Sequence, residues 1–227
     1  MRPKSTDESA KQRVWDIQIR LFHWAIVILV ALSWWSAEYG REDLHLYLGY
    51  AVLSLLFFRI GWGLVGSSTA RFSSFVRGPA SVVRYVRDRF RWSVAGHAPL
   101  GALSVIALIL MLLAQVGTGL FALDEDGLFG GPLASAVSIA TSDTARELHE
   151  ELWDYLLALI ALHVAAILLY RLALGKNLLG PMVTGKARLE PGVEPMRPGK
   201  WWAALICLVA GIAITRWIIG GAPPFGS

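Results

Sequence analysis

The sequence predicts an all-α fold, an integral membrane bundle of up-and-down helices. Three observations lead there. Of 227 residues, 55% are hydrophobic and 17% charged, against about 25% charged in an ordinary soluble domain. The apolar residues gather in five stretches, each near the roughly 20 residues with which a helix crosses a hydrocarbon core of about 30 Å. Most of the charges lie between those stretches.

The first stretch runs from Leu21 to Ala37. An early apolar run can be a cleaved leader, but Trp34, Trp35 and Ser36 give no small-x-small site before Ala37, so it reads as a retained helix. The second runs from Leu44 to Val65, the third from Leu100 to Leu123, the fourth from Leu148 to Leu174 and the fifth from Trp201 to Gly220. A helix satisfies its own backbone groups in lipid, so all five are expected to be helical despite their many Val and Ile residues. Asp43 stands as N-cap of the second, and Ser142, Asp143 and Thr144 offer the same chemistry ahead of the fourth. The expected organisation is a tail over 1–12, a four-helix domain over 13–185, and a linker with an extra helix over 186–227. The linker is the stretch from Glu190 to Gly199, marked by Pro191, Pro195 and Pro198.

Orientation follows from Lys and Arg. With the N-terminus inside, Arg2, Lys4, Lys11, Arg13, Arg20, Arg59, Arg71, Arg77, Arg84, Arg87, Arg89, Arg91, Arg171, Lys176, Lys186, Arg188, Arg197 and Lys200 all fall inside, 18 of the 21 basic residues. Glu38, Glu42, Asp43, Asp124, Glu125 and Asp126 sit in outer loops. A cytoplasmic N-terminus and a periplasmic C-terminus are therefore expected. This topology accounts for the formal charge of +4 without nucleic-acid binding. The stretch from Pro79 to Trp92 has the pattern of a basic amphipathic helix against anionic lipid, and is equally compatible with a solvated loop. The single cysteine, Cys207, excludes an internal disulfide and a C-x-x-C-H haem attachment.

The chemistry lies in the histidines. Four of the five, His23, His45, His149 and His163, fall inside or at the ends of apolar stretches. Ionisable groups at membrane depth are costly and mark function, and a neutral imidazole is a ligand for haem iron. One such residue is readily a satisfied core side chain; four at matched depths are harder to explain that way. His149 and His163 are 14 residues apart, close to four full turns, so they share a helix face about 21 Å apart. They require two separate sites. His45 and His149 lie near the outer starts of their helices. His23, three residues after Arg20, and His163 share the inner level. The expected pairs are His45 with His149 and His23 with His163, each holding one haem b. Iron with two side-chain ligands has no open position for oxygen and suits electron transfer.

Candidate propionate partners are Arg20 and Arg59 inside and Arg41 and Arg146 outside, although interfacial Arg is also expected from topology alone. Trp24, Trp34, Trp35, Trp62, Trp153 and Trp217 read as an interfacial belt. Gly101, Gly117 and Gly119 are candidates for close approach of helix or haem, and Met111 for packing. His97 sits at the inner start of the third helix, where a quinone pocket, a propionate contact and a helix end all remain open readings.

Arg13-Val14-Trp15-Asp16 with Arg20-Leu21-Phe22-His23-Trp24, Leu44 to Tyr50, Phe58-Arg59-Ile60-Gly61-Trp62-Gly63, Arg71-Phe72-Ser73, Gly96 to Gly101 and Leu148-His149-Glu150 together resemble the bacterial cytochrome b561 family and its hydrogenase b-type relatives. The resemblance covers residues 12–185. It implies a four-helix bundle with two haem b groups on His23, His45, His149 and His163. It further implies quinone or quinol chemistry at a bacterial inner membrane. The implied partners are a c-type cytochrome or a peripheral enzyme such as hydrogenase, with superoxide in some members; a homodimer is compatible with it. The competing expectations are an anchor subunit of a peripheral oxidoreductase, and a haem-free transporter or assembly protein with structural histidines.

Overall fold

A computed structural model describes residues 11–89 and 94–222. In chain order its elements are β1 (Gln12–Arg13), α1 (Ile17–Glu38), α2 (Glu42–Val65), α3 (Phe72–Phe75), α4 (Pro79–Arg87), α5 (Pro99–Gly119), a single 3-10 turn (Ala134–Ala136), α6 (Ile139–Leu172), α7 (Leu179–Thr184), β2 (Lys186–Ala187) and α8 (Trp201–Ile219). Five of the helices, α1, α2, α5, α6 and α8, are long and apolar enough to cross a membrane. The molecule is an all-α membrane bundle.

α1 packs on α2 and α5 packs on α6, so the core is two helical hairpins; α2 also touches α5, and α8 lies along α2. Between the hairpins sits a tight apolar layer of Val52, Leu56, Leu112 and Leu156, flanked by Ile26, Leu29, Val30 and Met111. Leu156 is 1% exposed and stands midway between His149 and His163. The outward faces stay apolar and bare: Leu21, Leu103, Leu110, Leu162 and Leu169 are all more than half exposed. In water such a surface would aggregate. Against acyl chains it costs nothing, and packing between helices is left to close van der Waals contact.

Several boundaries differ from the sequence expectation. α1 begins at Ile17 because Asp16 caps it, its carboxylate accepting from the Ile19 N–H at 2.6 Å. Asp43 lies inside α2 rather than capping it, since the helix starts at Glu42. Ser142, Asp143 and Thr144 likewise lie inside α6. That helix is capped by Ser138, whose hydroxyl accepts from the Thr141 N–H, and begins at Ile139, nine residues ahead of the expected start. With 34 residues α6 is about 50 Å long at the α-helical rise, longer than the roughly 30 Å of a bilayer core. α5 ends at Gly119, and Leu120 to Leu123 instead enter a folded loop in which Leu123 bridges Gly130. α4 is helical over Pro79–Arg87; residues 90–92 of the expected amphipathic stretch, and residues 1–10 of the tail, lie outside the described residues.

The inner end is tied into a knot that hydropathy does not reveal. β1 pairs antiparallel with β2. Asp16, 7% exposed, also accepts from Trp62 Nε1 at 3.1 Å and from the Ser67 hydroxyl. The proline-rich stretch before α8 is not free: the Met196 N–H donates to the Arg13 carbonyl, the Ser68 N–H to the Arg197 carbonyl, and Met196 is buried. Trp62, expected in the interfacial belt, is fully buried in this knot because its ring N–H has a carboxylate partner there.

Candidate cofactor sites

At the level expected to be the outer one, α2 presents His45 and α6 presents His149 across a cavity of about 400 Å³. Its walls are Val30, Trp34, Gly49, Leu112, Gly119 and Trp153. The two imidazole centroids are 6.0 Å apart and the rings nearly perpendicular, at 87°. Each histidine is held by the other helix of its own hairpin. His45 Nδ1 donates to the Ser33 carbonyl at 2.9 Å, and His149 Nδ1 to the Gln115 carbonyl at 2.8 Å. Carbonyls only accept, so both protons are fixed on Nδ1 and both Nε2 lone pairs stay free for a metal. Gln115 locks the second contact by donating its side-chain amide to the His149 carbonyl at 2.8 Å. Gly119 makes room: a Cβ there would stand 2.9 Å from the His149 ring. Trp34 and Trp153 stack at 6.4 Å beside the cavity, so these two belong to its wall.

The inner level brings His23 of α1 and His163 of α6 within electrostatic reach of each other. His163 Nδ1 lies 3.1 Å from the Ser104 hydroxyl on α5. His23 Nδ1 is buried with no hydrogen-bond partner among the described residues. His97 lies inward of this pair, with its ring between those of Trp15 at 4.6 Å and Phe75 at 4.5 Å. Burial pushes His97 down to about 3, and the nearby Arg59 and His163 add to that, so it is neutral at physiological pH.

The inner arginines are both engaged. Arg20 donates to the Val183 carbonyl. Arg59, 2% exposed, donates to the Ala70 carbonyl at 3.3 Å and lies 4.7 Å over the Phe72 ring. On the outer side Arg146 pairs with Glu125 and Glu150, each at 3.4 Å. Of the small residues singled out in the sequence, Gly119 meets a histidine, whereas a Cβ at Gly101 or Gly117 would enter open space. Met111 packs in the apolar layer.

Sequence reasoning missed Ser33, Ser104 and Gln115. Their signal was present: polar side chains within apolar helices usually bond across to a neighbour. Among the described residues no three metal-ligating side chains cluster. Two opposed imidazoles suit instead a metal whose other positions a macrocycle supplies. An imidazole nitrogen sits about 2.0–2.1 Å from a metal such as zinc; two such bonds plus the half-width of each ring come close to the 6.0 Å seen between His45 and His149. The residues present therefore fit haem.

No curated protein and no solved structure matches the chain significantly. The family described as prokaryotic cytochrome b561 matches residues 14–185, most of the chain and all four helices that carry or hold the paired histidines. This match implies haem b and electron transfer within a membrane. The chain belongs to the prokaryotic cytochrome b561 family.

Proposed function

We propose that the chain is a di-haem cytochrome that moves electrons between the two faces of a bacterial inner membrane, with quinone or quinol on one side of the exchange. His45 and His149 ligate the outer haem, and His23 and His163 the inner one. The observation that carries this reading is the outer pair: two rings 6.0 Å apart with both Nδ1 protons spent on carbonyls.

When bound, haem supplies the one-electron couple. The rest is the work of the chain. Ser33, Gln115 and Ser104 orient the imidazoles and set the basicity of their free nitrogens. The Val52, Leu56, Leu112 and Leu156 layer excludes water and ions between the two levels. Arg59 and Arg20 place positive charge at the inner level, favouring anionic propionates there. Eighteen of 21 basic residues on the N-terminal side of the bilayer support a cytoplasmic N-terminus and periplasmic C-terminus.

Glu38 lines the outer cavity, Glu125 and Glu150 share one Arg146 there, and Glu42, Asp43, Asp124 and Asp126 leave the same outer side net acidic. Such a field steers a cationic redox protein, as a basic c-type cytochrome would be, and repels anions. The deciding experiment is a reduced-minus-oxidised spectrum with haem quantitation of the purified chain. Two haem b per chain are expected; absence of a b-type α band would reject the reading.

A further inference from the structure

We propose that His97 anchors the inner haem by donating its Nδ1–H to a propionate carboxylate, an inference that rests on the two-haem reading above. His97 Nδ1 is shut off from solvent and has no hydrogen-bond partner among the described residues. An unsatisfied buried polar group is costly, and one that a fold retains calls for a partner or a role. The ring is not loose. Trp15 and Phe75 grip it from two directions, and Gly96, at φ +102°, makes the turn that leads into it.

The depth is right for a carboxylate rather than for the iron. Ser104, beside His163, marks the iron level on α5. From Ser104 back to Pro99 is five residues of helix, about 7.5 Å, and His97 lies two residues further toward the inner end. A porphyrin held between His23 and His163 with its carboxylate edge toward that end would bring a propionate to the depth of His97. The surroundings suit an anion as well. Arg59 is close enough to His97 for its charge to be felt, and Arg20 Nε, three residues before His23, is also buried without a partner among the described residues. His97 is thus a positioning residue, acting on the potential and seating of the haem and not as an axial ligand.

The test uses the full haem-loaded chain, with the inner haem identified as the one that persists in His149→Ala. In His97→Ala both haems and their low-spin bis-histidine spin-resonance signals are expected to remain. The reduction equilibrium of the inner haem should become about tenfold less favourable, because an unscreened carboxylate stabilises the oxidised iron. His97→Gln keeps a side-chain donor and should recover most of that shift. His97→Phe preserves the stack between Trp15 and Phe75 while removing both nitrogens, so it should show the same drop even where the alanine variant folds poorly. Loss of one haem would make His97 a ligand and overturn the proposal, as would an inner potential unmoved in both His97→Ala and His97→Phe. Haem missing from the wild-type chain would instead sink the two-haem reading itself.

Discussion

The outer and inner histidine pairs occupy the same two hairpins yet are built differently. Outside, both Nδ1 atoms donate to main-chain carbonyls, the rings face each other across a formed cavity, and acidic residues line its mouth. Inside, His163 meets a hydroxyl, His23 Nδ1 has no partner among the described residues, and Arg20, Arg59 and His97 stand toward the same end. A backbone carbonyl cannot rotate away, so the outer imidazoles are pre-set by the fold. Of the inner imidazoles, His163 depends on a side-chain hydroxyl. The difference teaches that two sites made of the same residue type can be tuned apart by what stands behind each ring and by the sign of nearby charge.

The comparison breaks most sharply at the ligands. His149→Ala is expected to remove the outer haem and leave the inner one, halving haem content by pyridine haemochrome assay; two haems per chain in that variant would show the pairing to be wrong. Gly119→Val is the next largest effect. Its added atoms collide with the His149 ring, and the outer haem is expected to lose its bis-histidine spectrum while the inner signal stays intact. An unchanged outer signal would mean the ring contact is not needed.

Ser104→Ala tests the weaker inner arrangement. Removing a partner behind a ligating imidazole typically costs 10–100-fold in affinity; the lower end, about tenfold in inner haem retention during dilution, is expected because His163 keeps its own helix. Loss of the outer haem in that variant would contradict the assignment of Ser104 to the inner site. The smallest effect is a difference in potential. Carbonyl-bonded imidazoles and nearby carboxylates both favour oxidised iron outside, while arginines favour reduced iron inside. In a redox titration the inner haem is expected to reduce before the outer one, and the gap should narrow in Arg59→Gln. The reverse order would show that burial, rather than these charges, sets the potentials.

Much of this was legible in the residues. Five apolar stretches, a one-sided distribution of Lys and Arg, and four histidines at two depths follow from composition and helical periodicity. A bilayer imposes one rule on every segment, which is why the membrane helices could be found one at a time. Their ends could not. α6 starts at Ile139 because Ser138 caps it, in a polar stretch where hydropathy carries no signal. The proline-rich stretch resembled a linker because its hydrogen bonds to Arg13 and Ser68 join residues more than a hundred positions apart.

The sequence by itself determined that the chain crosses a membrane in helices and carries imidazoles at two heights, since both are properties of single segments. The tertiary structure decided what single segments cannot: the imidazole faced by His45, the carbonyls holding the protons of His45 and His149, and the burial of Trp62 and of the His97 Nδ1. Those outcomes depend on the angular setting of one helix against another. Side-chain packing fixes that setting, and no periodicity within a helix encodes it.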